Sequence, residues 1–214
     1  MRKGLTELVF ILDRSGSMSG LESDTIGGYN AMLEKQKKEP GEAIVTTVLF
    51  DDQYELLHDR ISLKGVMPIT DKDYFVRGTT ALLDAMGKTI NKIGNAQRHT
   101  VEEEQAEHVM FVITTDGLEN SSREFTLKTV RQLVERQKEK FGWEFLFVGA
   151  NIDAIDTAGQ FGIAKERAVN YHADSEGTGL NYEVLSKAVS YFRTNHHVSE
   201  DWKDEIEEDF KKRG

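Results

Sequence analysis

Three short segments of this chain are almost unbroken apolar runs: LVFIL at residues 8–12, VMFVI at 109–113 and FLFV at 145–148. A strand with one face in water alternates apolar and polar side chains, because successive residues point to opposite faces of its sheet. Continuous apolar runs therefore belong to strands covered on both faces, the condition of a parallel sheet clothed by helices. None of them approaches the ~20 apolar residues that span a bilayer, so no membrane association is expected.

Between the runs the apolar period changes to that of a helix. Ile26, Tyr29 and Leu33 recur at spacings of three and four within residues 21–37; Leu82, Met86, Ile90 and Ile93 do so within 81–93, and Leu127, Val130 and Val134 within 126–139. Each stripe is a face for packing on a sheet. AIVTTVLFDD (43–52) and YELLHDRISL (54–63) read as two strands joined by a tight turn at Asp52 and Gln53, one antiparallel hairpin at a sheet edge. RAVNYHA (167–173) reads as a last short strand and LNYEVLSKAVSYF (180–192) as a last long helix.

The order β-α-β-β-α-β-α-β-α-β-α predicts an α/β fold: a three-layer, doubly wound (Rossmann-like), mostly parallel sheet with one antiparallel edge strand and helices on both faces. A chain of 214 residues suits one such core, assigned here to 1–198. Residues 199–214, with Trp202, Ile206 and Phe210 at spacing four and Ser199 as N-cap, form a helical tail expected to dock on the same domain. The polar stretch 94–108 is expected to extend a helix or form a loop before the strand at 109.

Charge and cysteine content narrow the function classes. With 27 Lys and Arg against 37 Asp and Glu, the net charge of −10 argues against a nucleic-acid partner, which needs a basic face. The chain has no cysteine, so disulfides and thiolate chemistry are excluded and a reducing, cytoplasmic setting is expected. The start, MRKGLTELVFILD, has basic residues before an apolar run, but Glu7 and Asp13 leave that run too short for a secretory signal.

In doubly wound sheets, ligands bind at the carboxyl ends of the strands, near the point where strand order reverses. Asp13, Ser15 and Ser17 directly follow the first apolar run, and their Asp-x-Ser-x-Ser spacing aims one carboxylate and two hydroxyls at a common centre, with Gly16 lending backbone freedom. RGTTALLDAM (77–86) offers Thr79 and Thr80 before a helical stripe, and VITTDGLEN (112–120) ends a buried strand in Thr115 and Asp116. Hard oxygen donors of this kind suit Mg²⁺, Mn²⁺ or Ca²⁺ rather than zinc.

D-R-S-G-S-M after the first strand, G-T-T-A-L-L-D-A before a helix and T-T-D-G after a central strand together resemble the von Willebrand factor A (vWA) domain with its metal-ion-dependent adhesion site (MIDAS), over residues 5 to 195. The resemblance implies a metal held by Asp13, Ser15, Ser17, a threonine and Asp116. Matching the family's Gly-Gly-Thr to Gly78-Thr79-Thr80 favours Thr80, with Thr79 as the alternative. It further implies Mg²⁺ or Mn²⁺, with Ca²⁺ less suited, and a protein partner that offers an Asp or Glu to the metal. A lone, cysteine-free domain is similar to the bacterial intracellular kind. No enzymatic activity and no small-molecule substrate are expected.

The alternative is a metal-dependent phosphatase or phosphotransferase of haloacid-dehalogenase-like type, which also carries strand-end acids on a doubly wound sheet. That family resembles Asp-x-Asp at the first strand, and here Ser15 occupies the second acid's place. The histidines at 58, 99, 108, 172, 196 and 197 show no ligand spacing. Asp153, Asp156 and Thr157 read as a helix N-terminus capped by Asn151 or Asp153, and Glu119 and Asn120 as either rim or turn residues.

Overall fold

A computed structural model describes residues 1–214. Six strands, β1 (Arg2–Asp13), β2 (Glu42–Phe50), β3 (Tyr54–Ser62), β4 (Ala106–Thr115), β5 (Glu144–Gly149) and β6 (Ala168–Asn170), form one sheet in the order β3-β2-β1-β4-β5-β6. All neighbours are parallel except the β2–β3 edge hairpin. Both faces are covered, and the apolar runs divide between them residue by residue. Leu8, Phe10 and Leu12 of β1 join one core, and Val9 and Ile11 join the other.

On the first face lie α1 (Glu22–Lys38) and α5 (Ser175–Asn195), which contribute Tyr29, Met32 and Leu33, and Leu185, Val189 and Phe192. On the second lie α2 (Leu82–His99), α3 (Leu127–Phe141) and α4 (Ala154–Gln160), contributing Met86, Ile90, Val130, Val134 and Ala158. The winding reverses between β1 and β4. The chain leaves β1 for α1 on one face and leaves β4 for α3 on the other, so the loops after these two central strands part and open a crevice between them.

The elements depart from the sequence reading where polar residues are buried or apolar ones are not. β1 starts six residues before LVFIL: Leu5 and Thr6 pair with β2, the Arg2 N–H donates to Gln105 O at 2.8 Å, and Glu7 between them and the run is fully buried in an ion pair with Arg60 at 2.7 Å. The stretch 94–108 divides into the end of α2, a single turn at Glu102–Glu104 and the start of β4. Leu127, the first residue of the third apolar stripe, is 38% exposed at the first turn of α3. α5 begins five residues earlier than expected, since Asp174 caps it by accepting from the Gly177 N–H at 2.8 Å.

The C-terminal helix, α6 (Asp204–Arg213), starts later than Ser199, which is therefore not its N-cap; the Ser199 hydroxyl donates to Asp201 instead. Trp202 lies in the turn before α6, donates its indole N–H to Glu166 O at 2.8 Å and, with Ile206, packs into the α1/α5 core. Phe210 stacks on the His172 ring at 4.6 Å and stays partly exposed. No helix is long and apolar enough to cross a membrane.

Candidate metal centre

Five oxygen-bearing side chains meet at the carboxyl ends of β1 and β4. Asp13 closes β1 and is 1% exposed. Its Oδ1 accepts from the Ser15 N–H at 2.7 Å, its Oδ2 from the Thr115 hydroxyl at 2.6 Å, and its carbonyl from the Tyr74 hydroxyl at 2.5 Å. The Ser15 and Ser17 hydroxyls are 3.1 Å apart, Thr80 donates to Ser15 Oγ at 3.0 Å, and Ser17 donates to Asp116 Oδ1 in a close contact. Asp13, Ser15, Thr80 and Asp116 are buried, whereas Ser17 is exposed, so the cluster opens to solvent on its Ser17 side.

Backbone hydrogen bonds hold the three loops together. The Gly16 N–H donates to Gly78 O at 3.1 Å, the Arg77 N–H to Arg14 O at 3.0 Å and the Ala81 N–H to Asp51 O at 2.8 Å. Asn120 clasps Thr80 twice: its Oδ1 accepts from the Thr80 N–H at 2.9 Å, and its own N–H donates to Thr80 O at 3.0 Å. Glu119 accepts from the Leu83, Ser121 and Ser122 N–H groups. Both residues therefore serve the turn that carries Asp116 toward Thr80. Gly16 is not in the left-handed region, so its value is the close approach to Gly78 rather than unusual backbone freedom.

The site is short of positive charge. Burial pushes the Asp13 carboxyl up from its usual range, against the hydrogen bonds from Ser15 and Thr115. Burial, with the Asp13 charge adding to it, pushes Asp116 up to about 6, although Ser17 donates to it. Neither carboxylate has a basic partner, because Arg14 turns away to pair with Asp51 at 2.9 Å and Glu55 at 2.7 Å. Asp116 Oδ2 is buried without any hydrogen-bond partner. A β-carbon on Gly117 would come 2.9 Å from Thr80 Oγ1 and 3.1 Å from Ser17 Oγ, so the glycine leaves a gap among the hydroxyls. An orphaned carboxylate oxygen, neutral hydroxyls and the space that Gly117 leaves between them fit a small hard cation.

No family model and no curated protein sequence matches the chain. Solved structures do. Proximal thread matrix protein 1 from the mussel byssus, with zinc in its MIDAS motif, aligns at TM-score 0.57 and 16% identity over 87% of this chain and 46% of that one. A protein described as von Willebrand factor type A from Catenulispora acidiphila aligns at TM-score 0.54 and 10% identity over 86% and 42%. The chain has the vWA fold. The ArnB paralog VWA2 from Sulfolobus acidocaldarius shares it, at TM-score 0.54 and 17% identity over 86% and 45% of the two chains. This chain spans less than half the length of these three.

Within the vWA fold, the structure brings Asp13, Ser15, Ser17, Thr80 and Asp116 together and leaves Thr79 exposed outside the cluster. Asp153 caps α4 by accepting from the Asp156 N–H at 2.9 Å. The histidines stay away from the cluster: His58 is buried against Thr47, and His196 stacks on His108 at 4.1 Å. Sequence reasoning missed three supports. Thr115 stands in the sequence only as the neighbour of an acid, Tyr74 carries no signal in DYFVRG, and Arg14 is fully buried beneath the loop.

Proposed function

We propose that Asp13, Ser15, Ser17, Thr80 and Asp116 hold one divalent cation, Mg²⁺ or Mn²⁺, and that through it the protein binds an acidic side chain of a partner protein. The observation that carries this reading is the pair of buried carboxylates without a cationic partner, one oxygen orphaned beside the Gly117 gap. The zinc-occupied MIDAS motif of the byssus protein supports it by likeness of fold. When bound, the cation supplies positive charge for an incoming carboxylate. Two acids at most neutralise a divalent ion, and the three hydroxyls add no charge, so the ion is not overcompensated and its open position still attracts an Asp or Glu.

This chain's residues divide the task. Ser15, Ser17 and Thr80 offer neutral oxygens, and Asp13 and Asp116 accept from coordinated water or bind directly. Solvent-facing Ser17 marks the side from which a partner approaches. The reading places the protein among bacterial intracellular vWA domains, cytoplasmic in keeping with its lack of cysteine. A phosphoryl-transfer role is disfavoured because both Asp13 oxygens are engaged and the side chain is buried, which leaves no free nucleophile.

The test is calorimetric titration of Mg²⁺ and Mn²⁺ into EDTA-stripped protein. One ion should bind the wild type and none should bind Asp116→Ala or Ser17→Ala. Failure of the wild type to bind either ion overturns the reading.

A further inference from the structure

At the end of the sheet away from the oxygen cluster, the last turn of α5 meets the first residues of β4. His196 ends that turn in the left-handed region, at φ 65°, with its N–H donating to Phe192 O at 2.8 Å. Helices ordinarily end there in glycine, or sometimes asparagine, because other L side chains are strained in that conformation. A histidine at this position needs a contact that offsets the strain. It has one: its ring stacks on His108 of β4, with centroids 4.1 Å apart and planes 16° from parallel. Phe192, from the same turn, meets the His108 ring in a T-shaped contact at 6.1 Å.

The stack is poor in compensating charge. Glu107 faces it, with Oε2 3.7 Å from His108 Nε2, but that oxygen already accepts from the Gly4 N–H at 2.7 Å, and Lys3 of β1 also acts on this acid. Arg2 on β1 pairs with Glu42, and Glu144 on β5 is held by Arg167 at 3.0 Å. From α5, Arg193 turns to the end of α1, donating to Gln36 O at 2.7 Å and Gly41 O at 3.1 Å. His197 turns to the Tyr191 ring at 5.4 Å. Two imidazolium rings at stacking distance repel each other, and one carboxylate that is already engaged does not neutralise both. Burial pushes the His108 imidazole below its usual range, and the charge of His196 adds to this against the pull of Glu107.

We propose that the His108–His196 stack is a pH-sensitive clasp: it fastens the last turn of α5 to β4 while the pair carries at most one proton, and it opens when both rings are charged. The other side of the turn is held by Arg193, whose guanidinium keeps its charge throughout. Acid therefore frees the turn from β4 and leaves it tied to α1. Because His108 is depressed in the folded state, the clasp stabilises fully above the unfolded histidine pKa of about 6.5. That contribution is lost as pH falls through the lower folded value. The clasp does not depend on the metal centre.

NMR titration of the histidine ring protons in the full chain, from about pH 8 to about pH 5, tests this. His196→Asn supplies a residue that tolerates the left-handed cap and removes the second ring. In that variant His108 should titrate about half a pH unit or more above its wild-type value, while His58, buried against Thr47 on β3, stays in place. Amide hydrogen exchange gives a second readout. In the wild type, protection factors of residues 192–196 should fall about threefold or more from about pH 7 to about pH 5, the change that a half-unit shift carries. They should hold steady in His196→Asn and in His108→Gln, which removes the other ring. The proposal is overturned if His108 titrates alike in wild type and His196→Asn, or if protection of the last turn responds to pH equally in all three proteins.

Discussion

The Thr115 hydroxyl donates to Asp13 Oδ2 across 2.6 Å and so ties together the carboxyl ends of the two central strands, between which the winding of the sheet reverses. Both residues are buried, and Thr115 Oγ1 also accepts from the Gly117 N–H at 3.3 Å. One hydroxyl therefore sets the orientation of an acid on β1 and of the turn after β4. Thr115→Val keeps the shape and removes the hydrogen bonds. It should cost about 1–3 kcal/mol in urea denaturation and lower Mn²⁺ affinity about 10- to 100-fold, the usual effect of losing a group that orients a ligand.

Gly117 supplies the opposite case, a change that spares the fold and fills the site. Its φ is not in the left-handed region, so alanine is sterically allowed by the backbone, but the added carbon meets Thr80 Oγ1 at 2.9 Å and Ser17 Oγ at 3.1 Å. Both neighbours are small hydroxyls that can yield by a rotamer change. Gly117→Ala should therefore lose metal binding in a calorimetric titration while its denaturation midpoint stays close to that of the wild type. A variant that binds metal normally would show that the gap beside Thr80 is not where the ion sits.

Asp84, in the first turn of α2, receives the N–H groups of Arg123, Glu124 and Phe125 at 2.8, 2.9 and 2.8 Å and anchors the loop that follows Asp116. Burial pushes its carboxyl up, but those three donors and Lys88 outweigh burial and hold it below the usual carboxylate range. A carboxyl depressed in the folded state stabilises above its unfolded pKa of about 3.9, and that contribution is lost as pH falls through the lower folded value. Asp84→Asn should thus be about 1–3 kcal/mol less stable than wild type at neutral pH. The gap should narrow in acid, below about pH 4, when denaturation is repeated there.

The layers and the first loop of the oxygen cluster were legible in the sequence because each has a local signature. Uninterrupted apolar runs follow from burial on both strand faces, and Asp13, Ser15 and Ser17 lie within five residues of one another. The choice between Thr79 and Thr80 needed the structure, where only Thr80 turns inward. Tyr74, Thr115 and Arg14 had no local signature, since each is defined by a partner distant in the chain: Arg14 and Asp51 are 37 residues apart. Ser199 failed as a cap for a related reason. Trp202 anchors itself on Glu166 and delays the start of α6, and no pattern in the tail itself reports that long-range bond.

Arg14 offers the sharpest test of how the site is supported. Its guanidinium is fully buried, with Nε donating to Asp51 at 2.9 Å and Nη1 meeting Glu55 Oε2 at 2.7 Å and Asp73 O at 3.3 Å, while the Phe75 ring lies 5.3 Å from its central carbon. It joins the segment after β1 to the end of β2 and to the loop that carries Tyr74, the residue that holds the Asp13 carbonyl. Arg77 also binds Asp51, at 2.7 Å, so removing Arg14 does not leave that acid wholly unpaired. Arg14→Ala should still cost about 3–5 kcal/mol, the range for breaking a buried ion pair from one side. Arg14→Lys should recover only part of this, because a single ammonium group cannot reproduce the planar fork that reaches Asp51 and Glu55 at once. Urea denaturation of the two variants beside Arg77→Ala separates the contributions. If Arg14→Ala and Arg77→Ala prove equally mild, the buried guanidinium is not what holds the first loop in place.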